Sequence, residues 1–394
     1  MCSAVLLLPL ACRADLAQPF STPKLWLAVF LALAAVGGGW IRPAAPDAVR
    51  RPAWPWMAWV AAVSLSALVA PYASFPAVVL ALAPLPAACA LSQGRLSAVR
   101  IAQALVAGSA VLSAIVCLQF GGADPLQWLG WHPESFASSR MRMYGTMGNP
   151  NFAAAWLCAT LPLTAVLASR WRRAAWLLPA LQAAAILATG SRAAALALAV
   201  SAAVYAYAQR RVKAWWLAAL PLAAAALWFS PARSLQTTLE GRLYLARVVL
   251  GHWREVPLAG YGPGALQFPY ARWQAEWLRT HPQDGQAAAF AGEVDHVHND
   301  YLEFFVEYGP PGIVAFLGVS AWLLAPVRSA RRSSLLAAAC AGTAALAVIA
   351  CVDFPFHRPA EWCLYWLLAG MAGAPPLQLP TSQGEYTCRV LSSR

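Results

Sequence analysis

Between residues 296 and 309 the chain reads HVHNDYLEFFVEYG: two histidines, an asparagine and three carboxylates within fourteen residues. Burying such groups is costly unless they are paired. Beside an apolar segment the cluster is therefore either a solvated loop or a working site. From Asn299 onward the spacing is helical. It puts Asp300, Glu303 and Glu307 on one face, three and four residues apart, and Tyr301, Leu302, Phe304, Phe305 and Val306 on the other. His298 falls just before that helix, where a side chain projects into a cavity, and histidine is the usual general base near neutral pH. His296, His298 and Asp295 or Asp300 also make a possible divalent-ion set, but two histidines one residue apart are a weak metal signal.

Cations supply the complementary chemistry. Arg192, in ATGSRAAALAL, sits at a membrane boundary at the start of an apolar run, where a charge is expensive and marks either function or a snorkelling side chain. Arg242, Arg247 and Arg254 recur along RSLQTTLEGRLYLARVVLGHWRE. An arginine fork matches phosphate oxygens, so two or three of these would hold a diphosphate, with Arg254 better read as a solvated side chain. In YGTMGNPNFAAAW, Asn149 and Asn151 flank Pro150, ordinary helix-start chemistry that accounts for the residue types but not their concentration. GYGPGA lacks the Lys-Ser/Thr of a phosphate loop. VDFPFHRPAEW brings Asp353, His357 and Arg358 to the same side of the chain's topology, as candidates to line the same cavity.

The elements that must position these residues are apolar helices. Of the 394 residues, 60% are hydrophobic and 11% charged, against about 25% charged in a soluble domain. Twelve candidate spans recur at roughly 3–12, 24–41, 54–71, 76–92, 98–120, 150–168, 174–189, 192–208, 214–230, 308–327, 333–352 and 359–374, the first of them short and read as a partial or broken helix. The fold class expected is all-α, a polytopic membrane protein of about twelve spans with a large helical periplasmic loop. Alternate short loops carry fourteen basic residues, the opposite short loops six. By the positive-inside rule the basic loops and both termini are cytoplasmic. The long segment 231–307 is then external, with nine of the sixteen acidic residues and four of the six histidines. Its first part has apolar residues at Leu239, Leu243, Ala246 and Leu250, the spacing of a helix lying on a membrane surface. YARWQAEWLR reads as a second short helix, and PLAGYGPGALQF as a turn cluster. The net charge of +12 lies in loops that encode topology, and no basic aromatic patch points to nucleic acid. The nine cysteines are scattered without a CxxC pair and read as small core residues, and the N-terminus mimics a signal peptide without its basic start.

Together these stretches resemble the O-antigen ligase and polymerase superfamily of bacterial envelope glycosyltransferases. YGTMGNPN is similar to its GT-x-GNPN stretch, TGSRAA to its Ser-Arg motif, EGRLYLARVVLGHWREVPLAGYGPG to the segment entering its periplasmic loop, and HVHNDYLEFFVEYGPPG to its His-Asn-x-x-Leu…Glu-x-Gly signature. The second proline in EYGPPG departs from the usual glycine turn. The resemblance implies transfer of a glycan from undecaprenyl diphosphate to an acceptor hydroxyl at the periplasmic face of the inner membrane. The transfer would invert the anomeric centre and use no metal or other cofactor. His298 would activate the acceptor, and Arg192 and Arg242 would stabilise the leaving diphosphate. Asn149, Asn151, Arg247, Asn299, Glu303 and Glu307 would bind substrate, with Glu303 or Glu307 orienting His298 or an arginine. A lipid A–core acceptor is the first expectation, since the tail after the last span is short. Polymerisation or protein O-glycosylation is the alternative within the superfamily, and small-anion transport the alternative outside it. The polar residues crowd the outer edge and spare the span centres, which favours an enzyme over a transporter. The expected organisation is an N-terminal helical part (1–143), a central part with the GNPN and Ser-Arg motifs (144–230), the periplasmic loop (231–307), C-terminal spans (308–374) and a cytoplasmic tail (375–394).

Overall fold

A computed structural model describes residues 1–41, 54–131, 143–210, 233–283, 285–325 and 333–374. Among these residues every regular element is helical. In chain order they are α1 (Cys2–Leu7), α2 (Thr22–Ile41), α3 (Trp54–Val69), α4 (Phe75–Leu82), α5 (Leu85–Ser92), α6 (Ala98–Phe120), α7 (Pro150–Ala168), α8 (Leu177–Thr189), α9 (Arg192–Ala208), α10 (Arg233–Gly251), α11 (Gln267–Thr280), α12 (Gly285–Phe290), α13 (Asp300–Leu324), α14 (Ser334–Ile349) and α15 (Pro359–Ala372).

Among the described residues, four stretches suffice by length and composition to cross a membrane: Phe75–Ser92, Ala98–Phe120, Pro150–Ala168 and Asp300–Trp322. Shorter apolar helices cover Thr22–Gly38, Trp54–Val69, Arg173–Thr189, Arg192–Ala208 and Ser334–Ile349. The described helices therefore do not establish the twelve spans read from hydropathy. The first expected run is helical only over Cys2–Leu7, because Pro9 cannot donate to the next helical turn. The run 214–230 lies outside the described residues.

Alanine sets the packing. The inner side of α7 carries Ala153, Ala154, Ala155 and Ala159, all essentially inaccessible. On α14, Gly342 faces the carbonyl of Ala159 so closely that a Cβ there would collide with it. Small residues let backbones approach where lipid offers no hydrophobic drive between helices. α15 is buried along its whole length.

Two residues beyond the boundary expected at residue 307, two helical segments meet at a kink at Gly309. Asn299 caps α13, its side chain accepting from Leu302 N–H at 3.0 Å, and the helix runs through Gly309 to Leu324. Pro310 and Pro311 have no N–H, so the carbonyls of Val306 and Glu307 lose their helical donors. The turn cluster supplies replacements. Tyr261 N–H donates to Val306 O at 2.9 Å and Gly262 N–H to Glu307 O at 3.0 Å. Ser66 Oγ also donates to Glu307 O, at 2.7 Å. The additional proline thus has a structural consequence: it frees a carbonyl at which the Tyr261–Gly262 turn docks. Gly309 sits at φ 70°, ψ −178°, a region only glycine adopts readily, and a Cβ would strike the Leu258 carbonyl. Gly309→Ala is expected to cost about 1–3 kcal/mol from backbone strain alone. The check is the thermal midpoint of the purified protein, and an unchanged midpoint would remove this account of the kink.

Among the helices of segment 233–290, α10 buries Tyr244, Val248 and Val249 against Tyr270 and Trp273 of α11. Leu243 and Leu250, expected to touch the membrane surface, are exposed, as are nearby Trp253 and Leu258.

Candidate active site

The cap at Asn299 orients the start of α13, and the chain between α14 and α15 crosses over it. Asp300 N–H donates to Ala350 O at 2.9 Å, and Asn299 Nδ2 donates to Cys351 O at 3.0 Å. Phe356 N–H donates to Asp300 Oδ2 at 2.8 Å. This seam brings Asp353, Phe354, His357 and Arg358 to the two cavity histidines.

The carboxylate face of α13 points inward. Asp300, Glu303 and Glu307 are almost fully buried, and His357 lies among them. Its Nδ1 is 2.5 Å from Asp300 Oδ1, its Nε2 is 3.1 Å from Glu307 Oε2, and its Nδ1 is 3.4 Å from Glu303 Oε2. Burial alone would push His357 down, but Glu303, Glu307 and the bonds to Asp300 and Glu307 outweigh it and hold its pKa well above the ordinary histidine value. The surrounding carboxylates favour its protonated form. Glu303 also accepts from Val297 N–H at 2.8 Å and contacts His296 Nδ1 at 2.9 Å. Glu307 Oε1 accepts from Gly264 N–H at 2.9 Å. Both glutamates, expected to bind substrate, are sealed from solvent and act on histidines and backbone.

His298 has φ 54°, the left-handed region, rare for a residue with a Cβ. Its partner is neither glutamate of α13: Nδ1 lies 3.5 Å from Asp353 Oδ1. Burial pushes the Asp353 carboxyl up, but His298, Arg358 and Arg242 outweigh it and keep it below the usual carboxylate range.

A cavity of about 580 Å³ opens on this group, with His296, His298, Phe354, Arg242, Glu293 and Asp295 among its lining residues. Arg242 thus meets His298 across one space. Burial lowers its pKa from the ordinary value, against the pull of Asp353. Arg192 is the first residue of α9 and Arg247 lies on α10. Both are exposed, and neither is among the cavity's lining residues.

Asn149 caps α7, its side chain accepting from Asn151 N–H at 2.9 Å. Phe152, one residue on, reaches the site: its ring carries the Arg358 guanidinium at 3.3 Å and packs edge-on against Phe354 at 5.6 Å. The preceding YGT is locked from below. Tyr144 O–H donates to Asp124, Gly145 N–H to Gln119 Oε1 at 2.8 Å, and Thr146 Oγ1 to Pro9 O at 2.6 Å. Buried Lys24 donates to Ala11 O, Phe20 O and Thr146 O, each at 2.7 Å. Lys24 was legible only as a lone lysine at the start of an apolar run, and Phe152 and Phe354 carried no signal.

His296, Glu303 and His357 offer ligand atoms within 4.8 Å of one another, close enough for a divalent ion. Asp300 does not join His296 and His298 in such a set, because it is committed to His357 and Phe356.

The site therefore pairs histidine–carboxylate couples with an arginine across a cavity, chemistry suited to proton removal beside a place for negative charge. Comparison with curated proteins gives no match. Residues 177–317 match the family model described as O-antigen ligase. The matched stretch contains Arg192, Arg242, His296, His298, Glu303 and Glu307, whereas the GNPN stretch and the 353–358 turn lie outside it. From Leu177 to Leu317, then, this chain carries a domain of the O-antigen ligase and polymerase superfamily.

Proposed function

We propose that the protein is a multi-pass glycosyltransferase of the inner membrane. It would move a glycan from undecaprenyl diphosphate to an acceptor hydroxyl at the periplasmic face, with lipid A–core as acceptor. The observation that carries this reading is the shared cavity, with His298 backed by Asp353 on one side and Arg242 on the other. The acceptor oxygen attacks the anomeric carbon, the bond from that carbon to the diphosphate oxygen breaks, and the acceptor proton passes to His298 Nε2. Attack opposite the leaving group inverts the anomeric centre. Arg242 offsets charge developing on the diphosphate, the role a metal ion fills elsewhere, and Arg192 and Arg247, which lie outside the cavity lining, would meet the part of the donor that extends beyond it. Diphosphate is itself a good leaving group, so no further energy source is required. The alternation of basic loops supports an external position for segment 231–307, and exposed Leu243 and Leu250 on α10 support its lying against the membrane.

The test is the glycoconjugate profile of cells lacking the protein, rescued with wild type or Arg242→Ala. The deletion should leave core-only lipopolysaccharide and wild type should restore the ladder. Arg242→Ala should restore about a hundredth of it or less, the usual cost of removing one donor to a developing anion. Accumulation of core plus one repeat unit points to a polymerase instead, and loss of glycoprotein with intact lipopolysaccharide to a protein glycosylator. An unchanged profile in the deletion rejects the transferase reading.

A further inference from the structure

Both histidines of the cavity are backed by a buried carboxylate. His296 Nδ1 is 2.9 Å from Glu303 Oε2, with side chains 31% and 0% exposed. His298 Nδ1 is 3.5 Å from Asp353 Oδ1, with side chains 37% and 2% exposed. The Glu303 contact selects, in His296, the tautomer with its proton on Nδ1 and leaves the lone pair on Nε2; Asp353 makes no hydrogen bond to His298 Nδ1 and favours a proton there by its charge alone. In each ring Nδ1 is on the buried edge, so the edge turned to the cavity carries Nε2. Phe354 stands between the rings, stacked on His296 at 3.9 Å and edge-on to His298 at 5.2 Å.

One transfer needs one base, and electrostatics separates the two candidates. A proton on His298 is balanced by Asp353. A proton on His296 would place a second positive ring 5.6 Å from the His357 imidazolium. The His357 ring beside it and the Glu303 contact at Nδ1 thus leave His296 the ring whose Nε2 lone pair accepts instead of taking up a proton. We propose that His296, held by Glu303, is a second acceptor-binding residue whose Nε2 accepts a hydrogen bond from a hydroxyl neighbouring the one that His298 deprotonates. This deepens the transferase reading and rests on it. Only the attacked hydroxyl gives up its proton; the second keeps its own and holds the acceptor equally in the ground state and the transition state. The acceptor must then carry two neighbouring hydroxyls, as a sugar ring does and a serine or threonine side chain does not. Phe354 offers an apolar surface beside them for the C–H face of such a ring.

The experiment uses the full-length protein in detergent micelles, lipid-linked glycan from the host as donor, and two acceptors: the host's core oligosaccharide and a peptide containing Ser and Thr. For His296→Ala, KM for the oligosaccharide should rise about tenfold, one lost hydrogen bond. Its kcat and the pH profile of kcat should not move, since only ground-state and transition-state binding are lost together. His296→Gln, which keeps a side-chain acceptor, should fall between, and it carries the test if the alanine variant elutes as aggregate. An unchanged KM in both variants overturns the proposal. So does loss of kcat with a changed pH profile, which would make His296 the base, and so does equal use of the peptide. A wild-type protein that transfers to neither acceptor removes the transferase reading itself, an outcome distinct from the other three.

Discussion

His298→Ala is expected to lower glycan transfer by about 10²–10⁴-fold, the usual contribution of a positioned general base, while the protein still inserts and purifies normally. The reason is the placement of the ring. It is a third exposed to the cavity that Arg242 also lines, its Nδ1 is buried against Asp353, and its backbone is held at a positive φ. Asp353→Asn should reproduce much of the loss. An amide cannot offset the charge on the imidazolium and permits the wrong tautomer. Because its partners keep the Asp353 carboxyl below the ordinary range, the residue is ionised across neutral pH and its effect should be constant there. Glu307→Gln is the contrasting substitution: Glu307 contacts His357 and Gly264, not His298, so it should act on stability before turnover. The measurement is single-turnover transfer with matched amounts of folded protein. Full activity in His298→Ala would end its assignment as the base, and full activity in Asp353→Asn would end the dyad.

The second large effect is on folding. His357→Ala leaves Asp300, Glu303 and Glu307 buried without their shared cation. Removing one partner of a buried ionic group costs about 3–5 kcal/mol, enough to put a marginal protein in doubt. The pH dependence has a definite sign. Folding raises the His357 pKa, so its contribution is complete below the unfolded value of about 6.5 and fades as pH rises through the folded value. Wild type should therefore lose thermal stability on the alkaline side of neutral, and His357→Ala should begin lower and lack that decline. Thermal midpoints of both proteins in detergent between mildly acidic and alkaline pH decide it. Parallel curves would mean that His357 is neutral in the folded state and that the carboxylates are held some other way.

The sequence by itself determined the helical class, since runs of Ala, Leu and Val leave the backbone no partner but itself in an apolar medium. It also determined which side of α13 is acidic, because a spacing of three and four residues is a property of the helix, and it placed His298 just before the helix start. The partners of those groups were decided elsewhere. Periodicity puts Asp300, Glu303 and Glu307 on one face but does not say what that face meets. Packing of α13 against the turn before α15 supplied His357, 57 residues from Asp300, and gave His298 to Asp353 in preference to the nearer glutamates. Likewise Lys24 finds Thr146 across 122 residues, and the carbonyls orphaned by Pro310 and Pro311 find the Tyr261–Gly262 turn. Local spacing fixes the direction in which a side chain leaves its helix; a buried charge or carbonyl must also be met by a complementary group, and only the tertiary structure selects which distant one arrives.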